Sequence, residues 1–153
     1  MKTSLEAFCL AIAVLASALV AGSPVSATDD VDRRDPASVA RAFLVAHQAE
    51  DVATLAALVN DRNRAFFDGL LAAGRADPDW NEVFGGWRGE AVRSWTDPLG
   101  ATRYRSEQAL VPFVAMGDDE IAVIVLTEDP VGWGVEDLHS PSRADLEMLP
   151  IAR

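Results

Sequence analysis

The sequence predicts an α+β fold, with helices in the amino-terminal half followed by an antiparallel sheet of three to four strands. Three observations carry that expectation. Ile121-Ala122-Val123-Ile124-Val125-Leu126 is an unbroken apolar run, and a short run rich in β-branched residues suits a strand covered on both faces. Turn chemistry bounds the run, Gly117-Asp118-Asp119 before it and Glu128-Asp129-Pro130 after it, which favours a strand over a buried helix segment. Upstream, the apolar residues recur at helical rather than alternating spacing.

Taken in order, residues 1–27 read as a secretory signal. Lys2 opens a short positive region, residues 7–20 form an apolar stretch too short to span a bilayer comfortably, and Val25-Ser26-Ala27 supplies the small-residue cleavage site. Cleavage after Ala27 is expected, leaving no stable membrane span, a flexible charged leader over 28–34 and a single domain over 35–153. An uncleaved anchor is the alternative. The one cysteine, Cys9, and the one lysine, Lys2, both fall in the signal. The mature domain is therefore expected to lack thiol nucleophiles, thiolate metal sites and disulfides.

The chain carries a formal net charge of −11. Such a domain is repelled by phosphate backbones and anionic lipid surfaces, so nucleic-acid binding is not expected. Its arginine-only, alanine-rich composition points to a GC-rich bacterial source.

Asp35-Pro36 starts the first helix, since Asp accepts from the free N–H groups of a first turn and Pro suits the first helical position. Val39, Phe43 and Ala46 form its apolar stripe. A break near Glu50-Asp51 leads to a short second helix with Val52, Leu55, Ala56, Leu58 and Val59. Asn60-Asp61 caps a third, with Phe66, Phe67, Leu70 and Leu71 as its apolar side and Gly74 as its stop. Residues 75–99 are the least regular, with breakers at Asp77-Pro78 and Gly85-Gly86 and at most a turn or two of helix over 89–95; a long segment of this kind is often a cavity wall.

Asp97-Pro98-Leu99-Gly100 turns the chain into the sheet. A first strand over 103–114 would place Tyr104, Ser106, Gln108 and Leu110 on one face, and Arg105, Glu107, Ala109, Val111 and Phe113 on the other. Pro112 lacks a ladder donor and marks an edge or a bulge. The central strand follows over 120–127. The last, over 132–139, alternates Trp133, Val135 and Asp137 with Gly134, Glu136 and Leu138. A closing helical turn over 144–149 is expected.

Candidate chemistry is sparse. His47 lies beside the first helix's apolar stripe and could act as a general base, but no acid is paired with it by spacing, which favours a boundary histidine. His139 follows Asp137 by two residues, so both could share a strand face. The acidic groups 118–120 and 128–129 read as solvated turns, and neither a metal nor a cofactor is expected. Gly85-Gly86-Trp87-Arg88-Gly89 lacks the Lys-Ser/Thr of a phosphate loop, and no Gly-x-Ser-x-Gly elbow exists. The stronger lead is aromatic. Trp80, Trp87, Trp95, Tyr104 and Trp133 are interspersed with Arg88, Arg93, Arg103 and Arg105. They could form a pocket that stacks an apolar group and pairs an anion, or simply a core with a charged rim. Trp87, Trp95, Asp97, Tyr104, Arg105, Trp133 and Asp137 are the candidate pocket residues. No catalytic residue is assigned.

Three stretches, DPASVARAFLVAHQAEDVATLAALV, WTDPLGATRY and DPVGWGVEDLHSP, resemble parts of the NTF2-like (SnoaL-like, cystatin-related) superfamily. The first is similar to its opening helices, the second to an entry into its sheet, the third to the last strand of secreted members. The resemblance covers roughly residues 35–150 as an order of elements. It implies a curved sheet wrapped around a long first helix, forming a cone with an internal pocket. With fewer strands than the larger enzymes of the superfamily, this chain is expected to be a secreted or periplasmic binding or accessory module. Its partner would be a small molecule or an envelope protein. A small-molecule enzyme (isomerase, cyclase or hydrolase) and a structural homodimerisation module are the alternatives.

Overall fold

The computed structural model describes residues 30–151. The expectations for the signal segment, its cleavage and the first leader residues lie outside the described residues. The order of elements is α1 (Pro36–Gln48), α2 (Val52–Leu58), α3 (Asp61–Ala73), a single 3-10 turn (Gly74–Ala76), α4 (Trp80–Phe84), α5 (Gly86–Ser94), β1 (Arg103–Arg105), β2 (Gln108–Ala115), β3 (Ile121–Asp129), β4 (Gly132–His139) and α6 (Arg143–Glu147). The four strands form one antiparallel sheet in the order β1-β2-β3-β4, and the fold is α+β with a curved sheet.

The first three helices begin where short polar side chains can satisfy orphan N–H groups. The Asp35 carboxylate accepts from the Ala37 N–H at 3.0 Å with Pro36 in the first position. Asp51 accepts from the Thr54 N–H at 3.1 Å and from its hydroxyl at 2.6 Å. Asn60 accepts from the Asn63 N–H at 3.1 Å. Glu50, at φ 53°, turns the chain between α1 and α2, and Gly74, at φ 59°, ends α3. The stretch 75–99 holds more helix than its breakers suggested. Gly85-Gly86 separates two short helices, and α5 begins at Gly86 rather than at Gly89. Gly89 permits their close packing, since a Cβ there would lie 2.0 Å from the Phe84 carbonyl oxygen.

The central strand is buried on both faces, as its run of apolar residues predicts: Ala122 through Leu126 are each 2% exposed or less. Ala122, Ile124 and Leu126 join Val39, Phe43, Leu44, Leu55 and Leu58 in the main core. Val123 and Val125 lie on the other face with Leu110, covered by Leu146 of α6.

Two register features depart from the expected alternation. The single strand expected over 103–114 is split, because Ser106, at φ 52°, starts a two-residue turn that folds β1 back on β2. Tyr104 consequently pairs with Ala109, Arg103 with Leu110 and Arg105 with Gln108. Tyr104 therefore packs towards the main core instead of sharing a face with Leu110. In β4, Leu126 faces Val135 while Val125 faces Asp137, so Glu136 is an extra residue and the strand bulges there. Beyond the bulge it is Leu138, not Asp137, that joins the core. Pro112 sits at the bulge its sequence announced, between β2 and β3, and its carbonyl accepts from the Gly100 N–H at 2.8 Å.

Two further differences concern helix faces and the leader. Of the expected apolar side of α3, Phe67 and Leu70 are buried, while Phe66 and Leu71 are 41% and 49% exposed. Within the stretch read as a flexible leader, Arg33 is in contact with the domain. Its guanidinium donates to the Ala57 and Trp133 carbonyls, and its own carbonyl accepts from the Trp133 N–H at 2.8 Å.

Candidate binding pocket

Asn60 positions the site. Its backbone N–H donates to the Val135 carbonyl at 2.9 Å, its amide donates to Thr127 Oγ1 at 2.9 Å, and its side-chain oxygen caps α3. The residue is buried with these bonds made, which ties the start of α3 to the sheet. Gly134 makes the approach achievable, since a Cβ there would lie 2.7 Å from the Asn60 Cα. One turn along α3, Asn63 then reaches β4 and donates from Nδ2 to the Glu136 carbonyl at 2.5 Å. Glu136 is the bulge residue, so a helix start and a strand irregularity meet at one place.

Beside that junction a pocket of about 250 Å³ opens between α1, α3, α4, α5 and β4. Its buried lining is Phe43, His47, Val59, Phe67, Val135 and Leu138; towards solvent it is lined by Asn63, Phe66, Glu82, Val83, Arg88, Glu136 and Asp137. It is an apolar pit with a charged mouth. A second depression of about 400 Å³ shares Asn63, Glu82, Arg88, Glu136 and Asp137 with it and adds Arg62, Arg105, Gln108, Val125 and His139. The two are continuous, and the second extends the mouth into a polar vestibule.

Most charges of the vestibule are matched. Glu136 accepts from Arg62 at 3.3 Å and from Gln108 Nε2 at 2.8 Å. Asp137 accepts from Arg88 Nη2 at 3.4 Å and from the Leu138 N–H at 2.8 Å. His139 Nε2 lies 3.2 Å from the same carboxylate, so the two residues share a strand face as their spacing predicts. The Arg88 guanidinium lies 5.2 Å from the centroid of the Trp87 ring. Glu82 is exposed, and no side-chain ion pair or hydrogen bond engages it among the described residues.

His47 is the buried titratable group of the pit. Its Nε2 lies 2.9 Å from the Val83 carbonyl. A carbonyl can only accept, so that nitrogen carries the proton. The ring packs between Phe84, at 4.8 Å, and Phe43, at 6.1 Å. Burial among them, with the nearby Arg93 charge adding to it, pushes the imidazole below its ordinary value of 6.5, against the opposing bond to Val83. At neutral pH His47 is a neutral, hydrogen-bonded wall.

Of the residues singled out from sequence, Asp137 lines both parts of the site and Arg105 the vestibule, where its guanidinium donates to Gln108 Oε1 at 2.8 Å. Trp95 and Trp133 are core residues; the Trp133 ring lies 6.4 Å from Tyr104, itself half-buried on the core. Trp87 is 37% exposed beside Arg88 but outside the lining. Asp97 lies apart, in an exposed ion pair with Arg41 at 3.0 Å. Two further arginines of the aromatic group are engaged with carbonyls, Arg93 with Phe84 and Arg103 with Leu149, each at 2.9 Å. Sequence reasoning missed Asn63, Glu82 and Glu136. Gly134 was the available signal, because a glycine inside a strand marks close approach by another backbone. Among the described residues, no group of three His, Cys, Asp or Glu side chains could hold a metal ion, and no helix is long and apolar enough to cross a membrane.

Comparisons with protein-family models, with curated proteins and with solved structures find no match to this chain.

Proposed function

We propose that this chain is an exported binding module whose pit takes up a small, largely apolar molecule, and that it is a compact relative of the NTF2-like superfamily. The observation that carries the binding reading is the pit itself: phenylalanine, valine and leucine side chains line a hollow between helices and sheet. One of them, Phe66, stays 41% exposed. Small-molecule sites are typically such concave apolar hollows with a few polar groups at the entrance. The superfamily reading is supported by the order of elements, helices first and a curved antiparallel sheet behind them with a pocket between. Export rests on the sequence of residues 1–27.

Native mass spectrometry of the mature chain purified from its own envelope tests the reading. A retained small mass is expected, and it should be lost from Leu138→Trp, in which the larger ring fills the pit. A chain carrying nothing in either form, with no uptake of an apolar fluorophore, would overturn it.

A small-molecule enzyme is the second reading, favoured by one observation: a buried, neutral imidazole lines the pit. Among the described residues no carboxylate is hydrogen-bonded to that imidazole, and its Nε2–H is committed to a backbone carbonyl. The neighbouring Glu136 and Asp137 are held by Arg62 and Arg88. That arrangement suits a wall better than a proton carrier. Dimerisation through the outer sheet face has less support, because α6 covers Leu110, Val123 and Val125.

A further inference from the structure

The lining of the pit contains three carboxylates, Glu82, Glu136 and Asp137, against one guanidinium, Arg88. The matched pairs remove most of that charge from play. Arg88 is spent on Asp137, and Glu136 is held by Arg62 and Gln108 from the vestibule. Glu82, on α4, lines both the pit and the vestibule and has no such partner among the described residues. The imidazole at the pit wall adds no positive charge, since its ring is neutral at neutral pH. The chain as a whole bears −11, so its overall field favours the approach of cations over anions; Arg105, bonded to the neutral Gln108 amide, is the opposing charge farther out in the vestibule.

We propose that the pit binds a small organic monocation, its apolar body among Phe43, Phe67, Val135 and Leu138 and its ammonium head at the mouth against Glu82. This rests on the reading of the pit as a binding site and specifies the ligand class. It also reverses the expectation of an anion drawn from the arginines around the tryptophans: those arginines are occupied by protein carbonyls, carboxylates or the Gln108 amide. The size fits a small ligand. A volume near 250 Å³ lies just below the range of about 300–1,000 Å³ for pockets that take drug-sized molecules. Phe66, exposed at the mouth, adds an aromatic ring to the lining, a group to which cations are attracted.

Three probes with one apolar body separate charge from burial: phenylbutylamine, phenylbutanol and phenylbutyrate, titrated calorimetrically into the mature chain at neutral pH. The amine is expected to bind tightest and the carboxylate weakest. Glu82→Gln should weaken the amine about fivefold, the scale of one partly exposed ion pair, and leave the alcohol unchanged. Asp118→Asn removes the same charge from the β2–β3 turn, outside the pit, and should leave the amine's affinity nearly as it was. Equal binding of amine and alcohol, or an equal loss in the Glu82 and Asp118 variants, overturns the cation proposal while the pit remains a binding site. Tightest binding of the carboxylate does the same in favour of an anion. Binding of none of the three overturns both the proposal and the reading beneath it.

Discussion

The layer between helices and sheet has two halves that behave differently. On the α1–α2 side it is closed: Val39, Leu44, Leu55 and Leu58 meet Ile124 and Leu126 with almost no exposure. On the α3–α5 side it is open, and α3 buries Phe67 and Leu70 while Phe66 and Leu71 face solvent. Composition contributes to the difference, since α1 and α2 are more apolar than α3 and α5. The docking of α3 adds to it. Asn60 ties its first turn to the sheet through one hydrogen bond to Val135 of β4 and one to Thr127 of β3, while its side-chain oxygen caps the helix, and Asn63 on the next turn is bonded to the carbonyl of the bulge residue Glu136. The closed half is tightly packed, and the open half leaves the hollow.

The contrast can be broken at the closed half first. Leu44→Ala should cost about 3 kcal/mol of unfolding free energy in urea titration, the usual scale for a fully buried leucine that leaves a cavity. A loss below about 1 kcal/mol would show that this half is as loosely packed as the pit. Next comes the junction. Asn60→Ala removes a helix cap and the bond to Thr127 and should cost about 2 kcal/mol. It should also loosen the pit, seen as faster amide hydrogen exchange over 61–67 than over 52–58. Equal exchange in both segments would separate the Asn60 anchor from the geometry of the site.

The third test uses pH. Burial lowers the folded-state pKa of His47 below its ordinary value of 6.5, so the unfolded chain takes up a proton before the folded one does. Stability is then full above about pH 6.5 and falls as pH drops from there towards the lowered folded pKa. The slope is at most about 1.4 kcal/mol per pH unit. His47→Gln should flatten the profile between neutral pH and pH of about 5; an unchanged slope would mean that the imidazole is not held neutral by its surroundings. The smallest stability effect is expected at the open half, where Phe66→Ala should change unfolding free energy by about 0.5 kcal/mol or less. The same variant should bind phenylbutylamine more weakly, and unaltered binding would remove Phe66 from the site.

Legibility in the sequence follows the range of the interactions involved. Asp35, Asp51 and Asn60 announce helix starts because a cap is made within three residues. The apolar run of β3 announces a two-sided strand because its composition reports its own burial. Pro112 announces an edge or a bulge because it lacks a donor. Ser106 and Glu136 announce nothing, since a turn inside an apparently continuous strand and an extra residue in a β-ladder depend on what the partner strand offers. Each such shift moves the following side chains to the opposite face. That is why Tyr104 and Leu138 lie on the core side, against the alternation read from the chain. The tryptophans left two readings open for a related reason: Trp95 and Trp133 are as well suited to a core as to a pocket wall, and only their neighbours decide between the two.

By itself, then, the sequence determined the fold class, the order of helices before sheet and the acidic charge of the chain. Those properties reside in neighbouring residues or in a sum over all of them. Where a hollow forms, and which carboxylate at its mouth is left without a partner, was decided only in three dimensions. Those outcomes depend on Asn60 meeting Gly134 across more than seventy residues of chain and on one bulge shifting the register of the last strand. Pairing across that separation is set by the packing of the whole domain, and no local pattern encodes it.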